Sequence, residues 1–238
     1  MAIRFDSMVT LSNELLNLFF PAKCILCDVP GSQLCQNCIL EFENYSHQVS
    51  RVGLTGYSVC YYSSSAAQLI HEFKENSKFA LAKPMASSMA KLLQGSDIGL
   101  VPMPSKKESF GKRGFSPAKV LANQIALEIF RGTGSSIKVF DALQLFSEVK
   151  DQAALSGTDR RLNLIGAMTP AKAFSNKTRL GAKLRKSRIL LIDDIVTTGS
   201  TLLEAKRCLE SMGVQVAGFI TYADTRPKNS QNHNEEGV

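Results

Sequence analysis

Residues 189–201 read Ile-Leu-Leu-Ile-Asp-Asp-Ile-Val-Thr-Thr-Gly-Ser-Thr, and no other stretch restricts the fold as tightly. Four consecutive apolar residues, two of them β-branched, suit a strand covered on both faces, as in the parallel sheet of an α/β domain. Asp193 and Asp194 come at the end of that strand. Thr197, Thr198, Gly199, Ser200 and Thr201 then form a loop of small hydroxyl residues around one glycine, and Leu202, Leu203, Ala205, Lys206, Cys208 and Leu209 carry on with helical spacing. Amides without acceptors in the first helical turn, at the positive end of the helix dipole, make such a loop a seat for a phosphate. Two carboxylates beside a phosphate would repel it, so the acids suit sugar hydroxyls or a divalent cation. The implied ligand is a sugar phosphate. The plain structural alternative is a strand-turn-helix capped by Thr and Ser.

A second constellation lies near the N-terminus. Cys24 and Cys27, then Cys35 and Cys38, make two C-x-x-C pairs with Gly31 in the connection. Four thiolates so spaced can wrap one tetrahedral zinc, which a segment too small for its own core needs in order to fold. A closed four-sulfur shell leaves no open position for catalysis, so the expected role is structural. Disulfides and a redox role for either pair are the competing readings; an expected cytoplasmic location argues against disulfides. Cys60 and Cys208 read as core residues of a strand and a helix.

The 238 residues allow one full core and one small extra module. Hydrophobic content of 44% and charged content of 21% are globular values. No apolar run approaches the roughly 20 residues that cross a bilayer. Residues 9–20 carry a broad apolar helical face that ends at Pro21, expected to dock on the rest of the chain. A strand is expected over 57–62, a helix over 66–74 and another to residue 93. Residues 98–103 form the next strand. A polar loop follows over 105–114, with Lys106, Lys107, Lys112 and Arg113 able to neutralise a pyrophosphate at the sheet's carboxyl edge.

Ser116-Pro117 starts a helix to 129, and 137–140 and 214–222 read as strands. Residues 141–170 are irregular and read as a surface loop or a cover over the site. The block 172–188 holds seven cations and no acid within a net charge of +7, and reads as a solvated basic loop or an anion-binding patch. His47, His71 and His233 enter no catalytic constellation, and the polar end of the chain is expected to be disordered.

The acid pair with its hydroxyl loop resembles the phosphoribosyl-pyrophosphate motif of type I phosphoribosyltransferases. With the four cysteines, the helix holding Phe73-Lys74, Val101-Pro102-Met103-Pro104, Arg113-Gly114-Phe115, Gln152, Arg160 and Asn163, the chain resembles the ComF family of competence-associated proteins from about residue 15 to 223. Ser116-Pro117 stands where that family usually has Asn-Gln.

The resemblance implies an α/β fold: a phosphoribosyltransferase-like parallel sheet with flanking helices over 51–224, a zinc-knuckle module over 1–50 and a tail over 225–238. It also implies that Asp193 and Asp194 bind the ribose diol and that residues 197–201 hold the 5-phosphate. Lys106, Lys112 or Arg113 would face the pyrophosphate, with magnesium arriving alongside the substrate. Two functions stay open: an enzyme transferring a phosphoribosyl group to a nitrogen nucleophile, and a non-catalytic DNA-uptake factor that binds single-stranded DNA or a competence partner.

Overall fold

The computed structural model describes residues 22–93, 95, 97–146, 166–175 and 177–225. The expected helix at 9–20, Gln152, Arg160, Asn163 and most of the 225–238 tail lie outside these residues. The central sheet has six strands in the order β1-β2-β8-β7-β3-β4. These are β1 (His47–Arg51), β2 (Leu54–Tyr61), β3 (Ile98–Pro102), β4 (Lys138–Val139), β7 (Arg188–Val196) and β8 (Val216–Asp224). Only β1 and β2 pair antiparallel; every other neighbour in this sheet is parallel. A separate antiparallel pair joins β5 (Leu143–Leu145) to β6 (Met168–Pro170).

β7 is the apolar run singled out above, and it lies between β3 and β8, where both faces must be covered. One face carries a core built from α2 (Ser64–Lys74), α3 (Ala82–Ala90) and α5 (Pro117–Thr133), through Leu69, Phe73, Met85, Met89, Leu121 and Ile125. The cysteine module joins this core through Cys24, Leu34, Cys38 and Phe42, the last from α1 (Gln36–Glu43). The opposite face is covered by α7 (Ser200–Glu210), α6 (Arg179–Arg185) and the β5-β6 pair, through Leu202, Leu209, Leu184, Leu143 and Met168. Cys60 and Cys208 are buried in the two cores, as the sequence implies. No helix among the described residues is long and apolar enough to cross a membrane.

Several local expectations change. Residues 107–113 are helical (α4, Lys107–Arg113), not loop, and Gly114 ends the helix at φ 74°, a left-handed conformation that glycine adopts without penalty. The basic block is not a loop either. Thr178 caps α6 by accepting from the Gly181 amide, and Gly181 packs so closely on the Ser175 carbonyl that a side chain has no room. Leu184 is fully buried while Lys177, Arg179, Lys183 and Lys186 are exposed, so the charges form the outer face of a packed helix. β1 crosses residue 50, where the cysteine module was expected to end. The module is docked as well as covalently joined: Glu43 accepts from Lys91 at 2.7 Å and Ser88 at 2.7 Å, and Gln68 donates to the Ile25 carbonyl at 2.7 Å.

Glu204 ties α7 to β6. It is 3% exposed, accepts from the amides of Gly166 (2.9 Å) and Met168 (3.1 Å), and is gripped by Arg207 at 2.7 and 2.8 Å. Burial alone would raise its pKa, but the Arg207 guanidinium and the two amides outweigh it and hold the carboxyl below its usual range. Glu204→Ala is expected to lower stability by about 2–4 kcal/mol, since the buried Met168 amide, the Gly166 amide and Arg207 lose their acceptor. In the unmutated protein the folded-state pKa lies below the unfolded one. This contribution is therefore present at neutral pH and lost as the pH falls through the folded value, which urea denaturation across pH measures in both proteins.

Candidate functional site

At the carboxyl edge of β7 and β3, Asp193, Asp194, Lys74, Arg113, Ser105 and Thr201 line one cleft of about 90 Å³. The acids belong to the strand itself, which continues to Val196. Asp194 is 4% exposed and its buried Oδ2 makes an ion pair with Lys74 Nζ. Asp193 Oδ1 accepts the Asp194 amide at 3.0 Å. Burial pushes the Asp193 carboxyl up to about 7, against the attraction of Lys74. Burial also lowers the Lys74 pKa, with Asp193 opposing and Arg113 adding to the shift. Arg113 is held by Glu75 at 2.9 Å.

The hydroxyl loop follows. Gly199 has φ 80° and is buried, and a Cβ placed on it would stand 2.6 Å from Arg51 Cβ, so both its conformation and its surroundings exclude a side chain. Thr198 Oγ1 and Ser200 Oγ are 2.9 Å apart, and the Leu203 amide donates to the Gly199 carbonyl at 2.9 Å as α7 begins. The Ser200 amide donates to Thr198 Oγ1 at 3.4 Å at the start of this helix, where first-turn amides have no intrahelical acceptor.

Sequence reasoning missed the brace behind the loop. Arg51 Nε donates to the Thr197 carbonyl at 2.9 Å, while its Nη2 donates to the Thr225 carbonyl at 2.7 Å and pairs with Asp224. His47 reaches the same carboxylate at 3.2 Å and stacks on Tyr61 at 4.0 Å. Lys74 was also missed as a site residue, although its helix was recognised. Of the expected pyrophosphate cations, Arg113 lines the cleft, while Lys106 and Lys112 are exposed on the adjoining segment. A larger groove of about 490 Å³ shares Pro104 and Ser105 with the cleft and runs between Phe110, Leu143, Gln144 and Phe146.

The four N-terminal cysteines converge. Their sulfurs all lie within 4.8 Å of one another, with Cys24–Cys38 at 3.8 Å and Cys27–Cys35 at 3.5 Å, and none is in a disulfide. A tetrahedral zinc with bonds of about 2.3 Å requires sulfurs about 3.8 Å apart, so the set fits such an ion. Burial raises the Cys24 thiol, but amides from Cys35, Leu26 and Cys27 outweigh it and bring the pKa down to about 6, whereas burial and the neighbouring thiols push the Cys38 thiol well up. The acid pair is a poorer fit to a metal of its own, since a lysine already holds the buried oxygen of Asp194.

Comparison with known proteins agrees with this geometry. A phosphoribosyl transferase domain matches residues 111–235, about half of the chain. The chain therefore belongs to the phosphoribosyltransferase domain family, type I, and within it to the ComF group. Competence protein F of Haemophilus influenzae is 23% identical over 77% of this chain and 75% of its own length. Competence protein ComFC of Streptococcus pneumoniae is 25% identical over 90% of each. A Francisella tularensis orotate phosphoribosyltransferase structure aligns over 77% of this chain and 67% of its own at 15% identity, with a TM-score of 0.37, too low to bear on the site.

Metal analysis of the purified protein is expected to find one zinc per chain. Stripping it, or Cys24→Ser, should lower the melting temperature by about 5–10 °C, because the module shares its core with α2 and α3.

Proposed function

We propose that the protein binds phosphoribosyl pyrophosphate across the carboxyl edge of β7 and β3 and passes its phosphoribosyl group to a nitrogen nucleophile. The observation that carries this reading is the meeting of both motif acids, Thr201 of the hydroxyl loop and Arg113 of the cationic segment in one cleft. The 5-phosphate sits on the amides and hydroxyls of residues 197–201, and Asp193 and Asp194 accept from the ribose diol. Arg113, with Lys106 and Lys112 nearby, faces the pyrophosphate.

In the reaction the bond from the anomeric carbon to the pyrophosphate oxygen breaks with its electron pair leaving on pyrophosphate. The nitrogen lone pair forms the new bond to that carbon, and the nitrogen loses a proton. Charge develops on the departing pyrophosphate and on the sugar, so positioned cations and phosphate donors do more here than a strong base. The groove beside the cleft gives the acceptor an apolar wall in Leu143 and the phenyl rings of Phe110 and Phe146, and an amide in Gln144. Magnesium, where present, enters on the pyrophosphate as part of the ligand.

Calorimetry with phosphoribosyl pyrophosphate tests this. The double change Asp193→Asn and Asp194→Asn is expected to weaken binding by about 100-fold or more, through loss of charge-assisted hydrogen bonds to the diol. Since an Asp193 pKa of about 7 must be crossed to ionise it, affinity in the unmutated protein rises between about pH 6 and pH 8. Asp193→Asn removes that rise. Undiminished binding in the double variant sinks the reading.

A second reading, single-stranded DNA binding by this protein, is favoured by the exposed cations Lys177, Arg179, Lys183 and Lys186 around α6. Its mark is affinity that falls steeply with salt, with a slope that shrinks when these four are changed to glutamine. An unchanged slope removes the block from that role.

A further inference from the structure

Lys74 is the last residue of α2, and its ammonium lies inside the cleft against Asp194. Its position is fixed from behind. Phe73 is fully buried and meets Phe115 edge-on at 5.8 Å, and Phe115 follows Arg113 by two residues. One aromatic contact thus pins both elements that deliver cations to the cleft. Leu69 and Ile70, one turn earlier, are buried in the core that α2 shares with the cysteine module.

Within the cleft Lys74 is the cation set against the acids, while Arg113, which lines the same cleft, is paired with Glu75. A buried carboxylate needs a cation beside it, since an uncompensated buried charge is strongly destabilising. A lysine, an arginine or a divalent ion can supply that charge, and no two of them can occupy the same side of one oxygen. Here the lysine is in place, set by the packing of its own helix.

We infer that Lys74 is a ligand-binding residue that supplies, from the protein, the positive charge a carboxylate-bound divalent cation would bring, so that Asp194 does not ligate a metal. The inference rests on the phosphoribosyl pyrophosphate reading for what the ammonium then faces, the pyrophosphate side of the ligand. It extends that reading by making the metal dependence of binding a property of one side chain. A lysine at this site also keeps the two acids from repelling the incoming pyrophosphate as strongly as bare carboxylates would.

The test uses the full-length, zinc-loaded protein and manganese(II) alone as probe, followed by electron paramagnetic resonance. The unmutated protein is expected to show no manganese site that Asp194→Asn removes. Lys74→Met is expected to gain such a site, at least about tenfold tighter than any in the unmutated protein, and adding Asp194→Asn should abolish it. Lys74→Arg keeps the positive charge and stays like the unmutated protein.

In the second arm, calorimetry with phosphoribosyl pyrophosphate in a metal-free buffer should show Lys74→Met binding at least about tenfold more weakly, with most of the loss recovered when manganese is added. Manganese bound by the unmutated protein and lost in Asp194→Asn overturns the inference, even if Lys74→Met fails to fold. Equal manganese binding in the unmutated protein and Lys74→Met overturns it too. Failure of the unmutated protein to bind phosphoribosyl pyrophosphate with or without metal strikes the proposed function instead, and the manganese arm still decides the role of Lys74.

Discussion

The structure has to accommodate two adjacent carboxyl groups at the covered end of its central strand. Removing a carboxylate from water costs several kcal/mol unless a partner compensates, and among the described residues the ammonium of Lys74 pairs with Asp194. That requirement reaches far into the fold. α2 must end at the cleft, and it does so because Leu69, Ile70 and Phe73 lock it into the core beneath the sheet. The cysteine module packs into the same core through Cys24, Cys38 and Phe42, and Phe42 meets Tyr222 of β8 edge-on at 5.7 Å. A metal held by the four sulfurs would stabilise the floor on which α2 stands, at a distance from the chemistry.

The other half of the site is braced by different means. The loop after β7 leaves Thr197 and Thr198 exposed, and its back is held by something other than its own backbone ladder. Arg51 does this, donating to Thr197 and pairing with Asp224 at the end of the neighbouring strand. Glu204, one turn into the helix that the loop opens, holds the β5-β6 pair by its amides. The loop and its helix are thus tied to β1 on one side and to the β5-β6 pair on the other. The acid cleft and the larger groove meet between these supports at Pro104 and Ser105.

The central strand was legible in the sequence because it is covered on both faces and therefore continuously apolar, and α5 because its pattern repeats over 17 residues behind a proline at its start. The cysteine spacing gave the cluster, since local geometry within short loops brings the pairs together. What was not legible depends on contacts distant in sequence or on elements too short for a period to emerge. α4 and α6 have seven residues each and mostly polar surfaces, so both read as loops. β5 and β6 have three residues apiece and find each other only in space.

His47 and Arg51 looked like an unremarkable polar stretch, and Arg51 acts on a carbonyl 146 residues away. The identity of Lys74 was plain, but its partnership with the acids was not, because nothing local distinguishes a lysine at a helix end from a solvated one. Of the cationic segment before α5, only packing could tell that Arg113 turns into the cleft while Lys106 and Lys112 remain exposed.

The account comes down to a pentose phosphate held between main-chain amides at the start of α7 and the carboxyl groups of β7. A crystal structure of the protein with ribose 5-phosphate tests this most directly. The account predicts phosphate density against the amides of residues 198–201 and the sugar hydroxyls within hydrogen-bonding distance of Asp193 or Asp194. A phosphate bound elsewhere, or a sugar turned away from both acids, would contradict it.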